Sequence, residues 1–303
     1  MEKIYLSIDW GGTNLKLAVF DLKGNIVFKS KLSTLDLFTP DKFFPVLKSF
    51  INNTLVKLDK KKSDIKRVGI GIPGILNVDQ GIIYYLPNIK GWRNFPFKKR
   101  FEQELGFLIS MGNDANLAAL AEFKKGEAKG YKNAIIFTLG TGLGSGLILN
   151  GSLVRGKTSA VEAGHMPITG KGKSCGCGST GCIETFIGSK FIVSRAKQYF
   201  KKANFCLDSY NNLTPKDIYL LATKGNKSAI KVWSDYGEYL GIFSAGLVNL
   251  LNLEVIVLTG AVAGAYRFFV KTMQETIRQR AMYPLGNQVI IKKAKLGEDT
   301  GII

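Results

Sequence analysis

Cys175, Cys177 and Cys182 form C-x-C-x4-C within CGCGSTGC, and the one histidine of the chain, His165, lies ten residues before Cys175. Three thiolates and one imidazole are a complete tetrahedral zinc set. The glycines between them let backbone fold tightly around an ion. A disulfide pair or unrelated free thiols are the alternatives. A cytosolic chain disfavours the first, and chance does not account for the sole histidine beside the cluster. Four protein ligands close the coordination shell, so the expected role is structural zinc. Cys206 lies outside the cluster and reads as a half-buried helix residue.

Glycine-rich turns supply the second kind of chemistry. Asp9-Trp10-Gly11-Gly12-Thr13-Asn14, with Lys16 after it, places two glycines in a β-turn. Exposed backbone N–H groups in such a turn can cradle phosphate oxygens, and Asp9 could hold Mg²⁺ through water. Alone this is weak, because a plain hairpin reads the same way. A partner turn, LGTGLGSG at 139–146, strengthens it. Two such hairpins could clamp a triphosphate. A third turn, TGAVAG at 259–264, follows an apolar strand and suits an adenosine.

Gly112-Asn113-Asp114-Ala115-Asn116 is the third feature. Asn and Asp before ANLAALAEF suit helix capping. The functional reading is a general base. Asp114, at a strand's end, could accept a hydroxyl proton, and a helix N-terminus favours its ionised form. Such a weak base suits a loose phosphoryl-transfer transition state.

One motif misleads. GSLVRGKT at 151–158 fits G-x-x-x-x-G-K-[ST]. A true P-loop follows a strand and opens a helix. Here Asn150-Gly151 is a hairpin signal, and SAVEAGHMPITG after it has little helical periodicity.

Elements to carry these residues can be read from periodicity. KIYLSIDWGGTNLKLAVFD and AIIFTLGTGLGSGLILNG share one grammar, strand–glycine turn–strand, as if two related halves were joined. RVGIGIPG and FLISMGNDAN read as strands, ANLAALAEF as a helix. Beyond residue 185 helices prevail, through FIVSRAKQYF and SAIKVWSDYGEYLGIFSAGLVNLL. The strand EVIVLTG and the helix AYRFFVKTMQETIRQRAM follow. Strands alternating with helices give an α/β class. The expected division is an N-terminal α/β domain over 1–115 and a larger C-terminal α/β domain over 116–303.

At 303 residues and 46% hydrophobic, the chain has apolar mass for real cores. No apolar run reaches the ~20 residues a membrane span needs. The first segment does not read as a signal peptide, so a cytoplasmic protein is expected. The net charge of +19 raises nucleic acid as a partner. The charge is dispersed, however, through short clusters such as Lys60–Lys62, Lys98–Arg100, Lys201–Lys202 and Lys292–Lys295. It reads as a solvated surface.

These motifs together resemble the ROK family of sugar kinases and sugar-responsive repressors, within the hexokinase/actin-like ATPase superfamily. The matching pieces run nearly end to end: DWGGTNLK, GIGIPG, LPNIKGW, NDAN with LAALAE, LGTGLGSG, VEAGHMP, CGCGSTGCIET, VLTGAVA and KLGEDTGII. The E-x-x-H followed by C-x-C-x4-C is the specific part. The resemblance implies a two-domain actin-like ATPase (ribonuclease H-like) fold with a cleft between domains. It implies Asp114 as catalytic base, and sugar contacts from Asn113, Glu162, His165 and Glu184, with Gly74 and Asn88 as further ones. His165 would serve both metal and sugar. Asp9, Gly11, Gly12, Thr13, Asn14 and Lys16 match the first phosphate turn. Thr141, Gly142 and Gly144 match the second, and Gly260 and Ala261 the adenosine turn.

The implied activity is phosphorylation of a hexose by Mg-ATP, glucose first. Fructose, mannose and N-acetylmannosamine are the other acceptors, and a non-catalytic sugar sensor is the other class. ATP, Mg²⁺ and structural Zn²⁺ are the implied cofactors, and a homodimer or homotetramer the expected assembly. Nucleic acid is not an expected partner, since only eight residues precede Asp9, too few for a helix-turn-helix. Two departures stand out. Val161 replaces a usual glycine before Glu162, with Lys157 nearby, in a loop expected to line the sugar's approach. The chain also stops at Gly301-Ile302-Ile303, where relatives continue into a helix.

Overall fold

A computed structural model of the chain describes residues 2–11, 14–34, 39–86, 89, 91–158, 161–205, 212–297 and 300–303. Gly12, Thr13, Asn88 and Cys206 lie outside the described residues. Two compact units form. One is Met1–Ala121 with Arg155–Ala160 and Asp299–Ile303; the other is Glu122–Val154 with Val161–Glu298.

In the first unit, β1 (Ile4–Trp10) and β2 (Asn14–Phe20) make the first strand–glycine–strand device, paired antiparallel, and β3 (Ile26–Ser33) extends it. After α1 (Pro40–Lys57), β4 (Ile65–Ile72) returns parallel to β1. A small hairpin of β5 (Ile75–Asn77) and β6 (Ile82–Tyr85) leads to α2 (Phe97–Leu105). Then β7 (Ile109–Asn113) lies parallel to β4 and runs straight into α3 (Asp114–Lys125). The sheet order is β3-β2-β1-β4-β7.

The period of two along β1 buries Ile4, Leu6, Ile8 and Trp10 on one face. Trp10 stacks on Phe43 of α1 at 4.1 Å and meets Trp92 edge-on at 4.8 Å. Aromatic side chains bury large areas in such pairs. Trp10 therefore pins the end of β1, and the alternation turns its neighbour Asp9 to the opposite face.

The second unit repeats the plan. β8 (Ala134–Leu139), β9 (Leu143–Leu149) and β10 (Ser152–Leu153) run antiparallel in sequence. Next come α4 (Glu184–Ile187), α5 (Ser189–Lys202), α6 (Pro215–Thr223) and the 25-residue α7 (Lys227–Leu251). Then β11 (Val255–Thr259) pairs parallel with β8. After α8 (Tyr266–Arg280) and α9 (Leu285–Gln288), β12 (Ile290–Lys293) pairs parallel with β11. The order β10-β9-β8-β11-β12 is the order of the first sheet, strand for strand. The expected kinship of the two halves is thus present in the topology. Asn150 and Gly151 both have positive φ, 50° and 73°, and turn β9 into β10. Residues 151–158 enter a strand and a turn, and no helix opens within them. No helix among the described residues is long and apolar enough to cross a membrane.

α5 is tied to α7 by a buried carboxylate. Asp235, 3% exposed, accepts from Arg195 Nε at 2.8 Å and Tyr199 Oη at 2.5 Å, and pairs with Lys231 Nζ at 2.9 Å. Burial pushes this carboxyl up, but the hydrogen bonds from Tyr199, Lys231 and Arg195 outweigh it and hold it below the ordinary carboxylate range. A group whose folded pKa is depressed stabilises above its unfolded value, near ~3.9, and loses that contribution as pH falls through the folded value. Asp235→Asn should therefore cost about 2 kcal/mol at neutral pH, the scale of charged hydrogen bonds. Urea denaturation from pH 7 to pH 3 checks it: the gap between variant and wild type should shrink below pH 4, and a constant gap would refute the linkage.

Candidate functional site

Parallel pairing puts the carboxyl ends of β1, β4 and β7 side by side. Asp9 lies opposite Gly71, and Gly71 opposite Gly112, in one row across the sheet. With strands ~4.8 Å apart, this row spans roughly 10 Å. Open α/β sheets bind ligands at the carboxyl ends of their parallel strands. Two of the predicted acidic groups sit there, Asp9 in the row and Asp114 two residues beyond it.

Asp9 faces Lys16 across the hairpin, with Lys16 Nζ 4.0 Å from Asp9 Oδ2. Burial pushes the Asp9 carboxyl up, and Lys16 opposes it. The turn beyond is closed by Gly11 N–H donating to Asn14 O at 2.9 Å, and a Cβ at Gly11 would sit 2.9 Å from that same oxygen. Thr34, 2% exposed, donates its hydroxyl to Gly11 O at 3.3 Å. The sequence reading missed Thr34, because nothing local links it to the turn. Gly301 also approaches: a Cβ there would lie 2.5 Å from Asp9 Oδ2.

The NDAN segment caps a helix, the first of the two readings given to it. Asn113 Oδ1 accepts from Asn116 N at 3.0 Å, the N-capping arrangement for α3. Its Nδ2 donates to Gly74 O at 3.1 Å, so two predicted sugar contacts are joined. Gly74 has φ 95°, which favours glycine. Asp114 begins α3, and its Oδ1 accepts from Ala115 N at 2.8 Å. A Cβ at Gly112 would come 2.9 Å from Leu117 Cδ2, so glycine lets α3 fold closely back on β7.

In the second unit the glycine turns again fall at strand ends. Gly140 N–H donates to Gly142 O at 3.1 Å between β8 and β9, and Thr141 is exposed at the tip. Gly144 lies within β9 opposite Thr138, whose other neighbour is Thr259 of β11. Gly260, φ 88°, follows directly, and a Cβ on it would lie 2.5 Å from Leu139 O. The hairpin and the Gly260–Ala261 turn are therefore adjacent.

His165, Cys175, Cys177 and Cys182 converge, their ligand atoms all within 4.8 Å of one another. Cys177 Sγ and Cys182 Sγ are 3.7 Å apart, and Cys175 Sγ is 3.5 Å from His165 Nδ1. A tetrahedron with metal–sulfur bonds of about 2.3 Å has edges of roughly 3.8 Å. The donor set and its spacing fit zinc. Short bridges, Pro167 with Cys182 and Ser174 with Thr180, fold the segment. Burial pushes the Cys175 thiol up to about 12, whereas a backbone hydrogen bond from Ser179 draws Cys177 down.

Glu162 precedes the short turn Ala163–His165. Desolvation pushes its carboxyl up, His165 opposes this and Glu184 adds to it. Ser145, 3% exposed in β9, fixes the same segment. Its hydroxyl donates to Val161 O at 2.5 Å and accepts from Ala163 N at 3.2 Å. The sequence reading treated LGSG as glycines alone and passed over this serine. Glu184 opens α4, with Oε2 accepting from Leu143 N at 3.1 Å and Oε1 4.0 Å from Cys175 Sγ.

A model of the ROK family matches residues 5–303. The glucokinase of Halalkalibacterium halodurans is 34% identical over 309 aligned positions, covering 100% of this chain and 93% of that protein. A xylose repressor of Caldicellulosiruptor bescii is 27% identical over 96% of this chain and 74% of its own length. Among solved structures, a ROK family glucokinase from Streptomyces griseus in complex with glucose and AMPPNP superposes with a TM-score of 0.83. It is 26% identical, over 99% of this chain and 96% of that one. The fold is accordingly that of the actin-like sugar kinases, and the chain belongs to the ROK family.

Proposed function

We propose that this chain is an ATP-dependent hexokinase-type enzyme whose first acceptor is glucose, forming glucose 6-phosphate. The observation that carries the reading is the placement of Asp114 beside the Asp9 row, at the carboxyl ends of β1, β4 and β7. The glucokinase relatives, one of them solved with glucose and AMPPNP, support it.

The chemistry needs little covalent work from the protein. Asp114 accepts the proton of the attacking sugar hydroxyl. The hydroxyl oxygen bonds to the γ-phosphorus, the bond to the β–γ bridging oxygen breaks, and ADP leaves. Asn113, Glu162, His165, Glu184, Gly74 and Asn88 are assigned to the sugar. The Asn113–Gly74 hydrogen bond supports pairing those two. His165 would use Nδ1 for the metal, leaving Nε2 for a sugar hydroxyl. Asp9, Gly11, Gly12, Thr13, Asn14 and Lys16 are assigned to phosphates and Mg²⁺. Thr141, Gly142 and Gly144 are assigned to the phosphates as the second turn, and Gly260 and Ala261 to the adenosine. Zinc, held by His165, Cys175, Cys177 and Cys182, supplies rigidity when bound. We assign the enzyme to the cytoplasm, as a homodimer or homotetramer. The xylose repressors among its relatives favour one rival, a sugar sensor without turnover.

The base assignment has a direct test. Asp114→Asn should lower kcat by about 10²–10⁴, the usual worth of a general base, with glucose affinity by calorimetry little changed. Near-normal turnover would remove Asp114 from that role. ADP release from Mg-ATP against glucose, mannose, fructose and N-acetylmannosamine should rank glucose first. No release with any sugar, from protein that still binds glucose, would favour the sensor.

The metal has its own test. Elemental analysis of protein purified without added metal should give about one zinc per chain. Chelation should lower the melting temperature, since ligand binding to the folded state stabilises it. Fully folded protein without zinc would rule the site out.

A further inference from the structure

The hairpin tip Gly140–Leu143 is held on several sides by the segments that carry the metal ligands. Glu184, two residues past Cys182, takes Leu143 N–H on its Oε2 at 3.1 Å. A Cβ at Gly142 would collide with that same carboxylate, and its three nearest neighbours are all atoms of Glu184. Gly142 is not in the left-handed region, so it is the carboxylate and not the backbone angle that opposes a side chain there, and a Cβ would have to displace Glu184. Immediately after α4, Ser189 donates its hydroxyl to Gly140 O at 2.8 Å and its N–H to Thr141 O at 3.2 Å. From the His165 side, Gly164 packs so closely on Leu143 O that no Cβ would fit.

Gly140 O and Thr141 O are therefore held by Ser189 and Leu143 N–H by Glu184, with Gly164 packed against Leu143 O. Gly140 N–H is used within the tip, so the N–H groups of Thr141 and Gly142 are the ones assigned here to a ligand, as a phosphate cradle requires. Two of these supports belong to segments that the Cys/His cluster joins: Gly164 precedes His165, and Glu184 follows Cys182. Thiolate and imidazole ligation would fasten both supports at one point.

We infer that Glu184 is a positioning residue for the nucleotide: its carboxylate braces Gly142–Leu143, and the Cys/His cluster anchors that brace. The inference rests on reading this hairpin as a phosphate turn. It adds a nucleotide-side task to a residue otherwise assigned only to the sugar, and it makes the metal site an aid to ATP binding.

Calorimetric titration of Mg-ADP into zinc-loaded full chain without sugar separates the two claims. If wild type binds no ADP, the phosphate-turn reading itself fails. If wild type binds ADP, Glu184→Ala should bind it about tenfold more weakly, the scale of one charge-assisted hydrogen bond. Glu184→Gln should recover most of the affinity, because its amide oxygen still accepts from Leu143 N. Gly142→Ala should weaken ADP in the wild-type background and add little in the Glu184→Ala background, where the obstructing carboxylate is gone. ADP affinity unchanged in Glu184→Ala, with only glucose affinity reduced, would overturn the inference. Zinc content is measured on each variant. Should Glu184→Ala lose zinc, Gly142→Ala, which alters no metal ligand, decides: normal ADP affinity in that variant refutes the brace.

Discussion

Parallel pairing of β1 with β4 and of β4 with β7 is the constraint on which the first unit's chemistry depends. Parallel strands end at the same edge of a sheet, and their register puts Asp9, Gly71 and Gly112 in one row. Each strand then leaves that edge differently. β1 turns through Gly11 into β2, β4 runs to Gly74, and β7 enters α3 at Asp114. The same edge thus gathers a carboxylate, a glycine turn and a helix N-terminus. Trp10, packed between Phe43 and Trp92, fixes the row's first member from the other face.

The second unit applies the same topology to different chemistry. Its β8–β9 tip occupies the place that the Gly11 turn holds in the first, and Gly260 follows β11 as Gly74 follows β4. Its acidic group does not lie on the strand preceding the turn, as Asp9 does. It comes from a distant segment, Glu184, which the cysteine cluster delivers. Duplication of a fold preserves strand order readily, because order is set by hydrogen bonding and handed connections. Side chains at the sheet's edge are free to diverge.

Much of this was legible beforehand. Short-range signals did best: Asn150-Gly151 dictated its hairpin through the positive φ that both residues adopt. The cysteine spacing likewise named its own cluster. The alternation Ile4, Leu6, Ile8 gave β1 and so the side on which Asp9 lies. Supports acting across the chain stayed hidden. Thr34 reaches Gly11, Ser145 reaches Val161 and Ala163, and Ser189 reaches Gly140. A buried hydroxyl that satisfies a loop carbonyl leaves no period in the sequence. Asn113 shows a subtler limit, since its capping bond and its bond to Gly74 coexist on the two ends of one amide.

The P-loop-like string GSLVRGKT explains why context outranks pattern. A P-loop depends on aligned, unused N–H groups at a helix start, and a strand uses its N–H groups in a ladder. Val154 N–H donates to Leu147 O at 2.8 Å, within the β9–β10 hairpin. The tip between β8 and β9 is the reverse case. It is read as the second phosphate turn, and its carbonyls are taken by Gly140 N–H, Ser189 Oγ and Ser189 N–H. Fixed acceptors beside available N–H groups, here assigned to Thr141 and Gly142, suit a backbone to bind an anion. That asymmetry, and not the count of glycines, is what distinguishes a phosphate cradle from an ordinary turn.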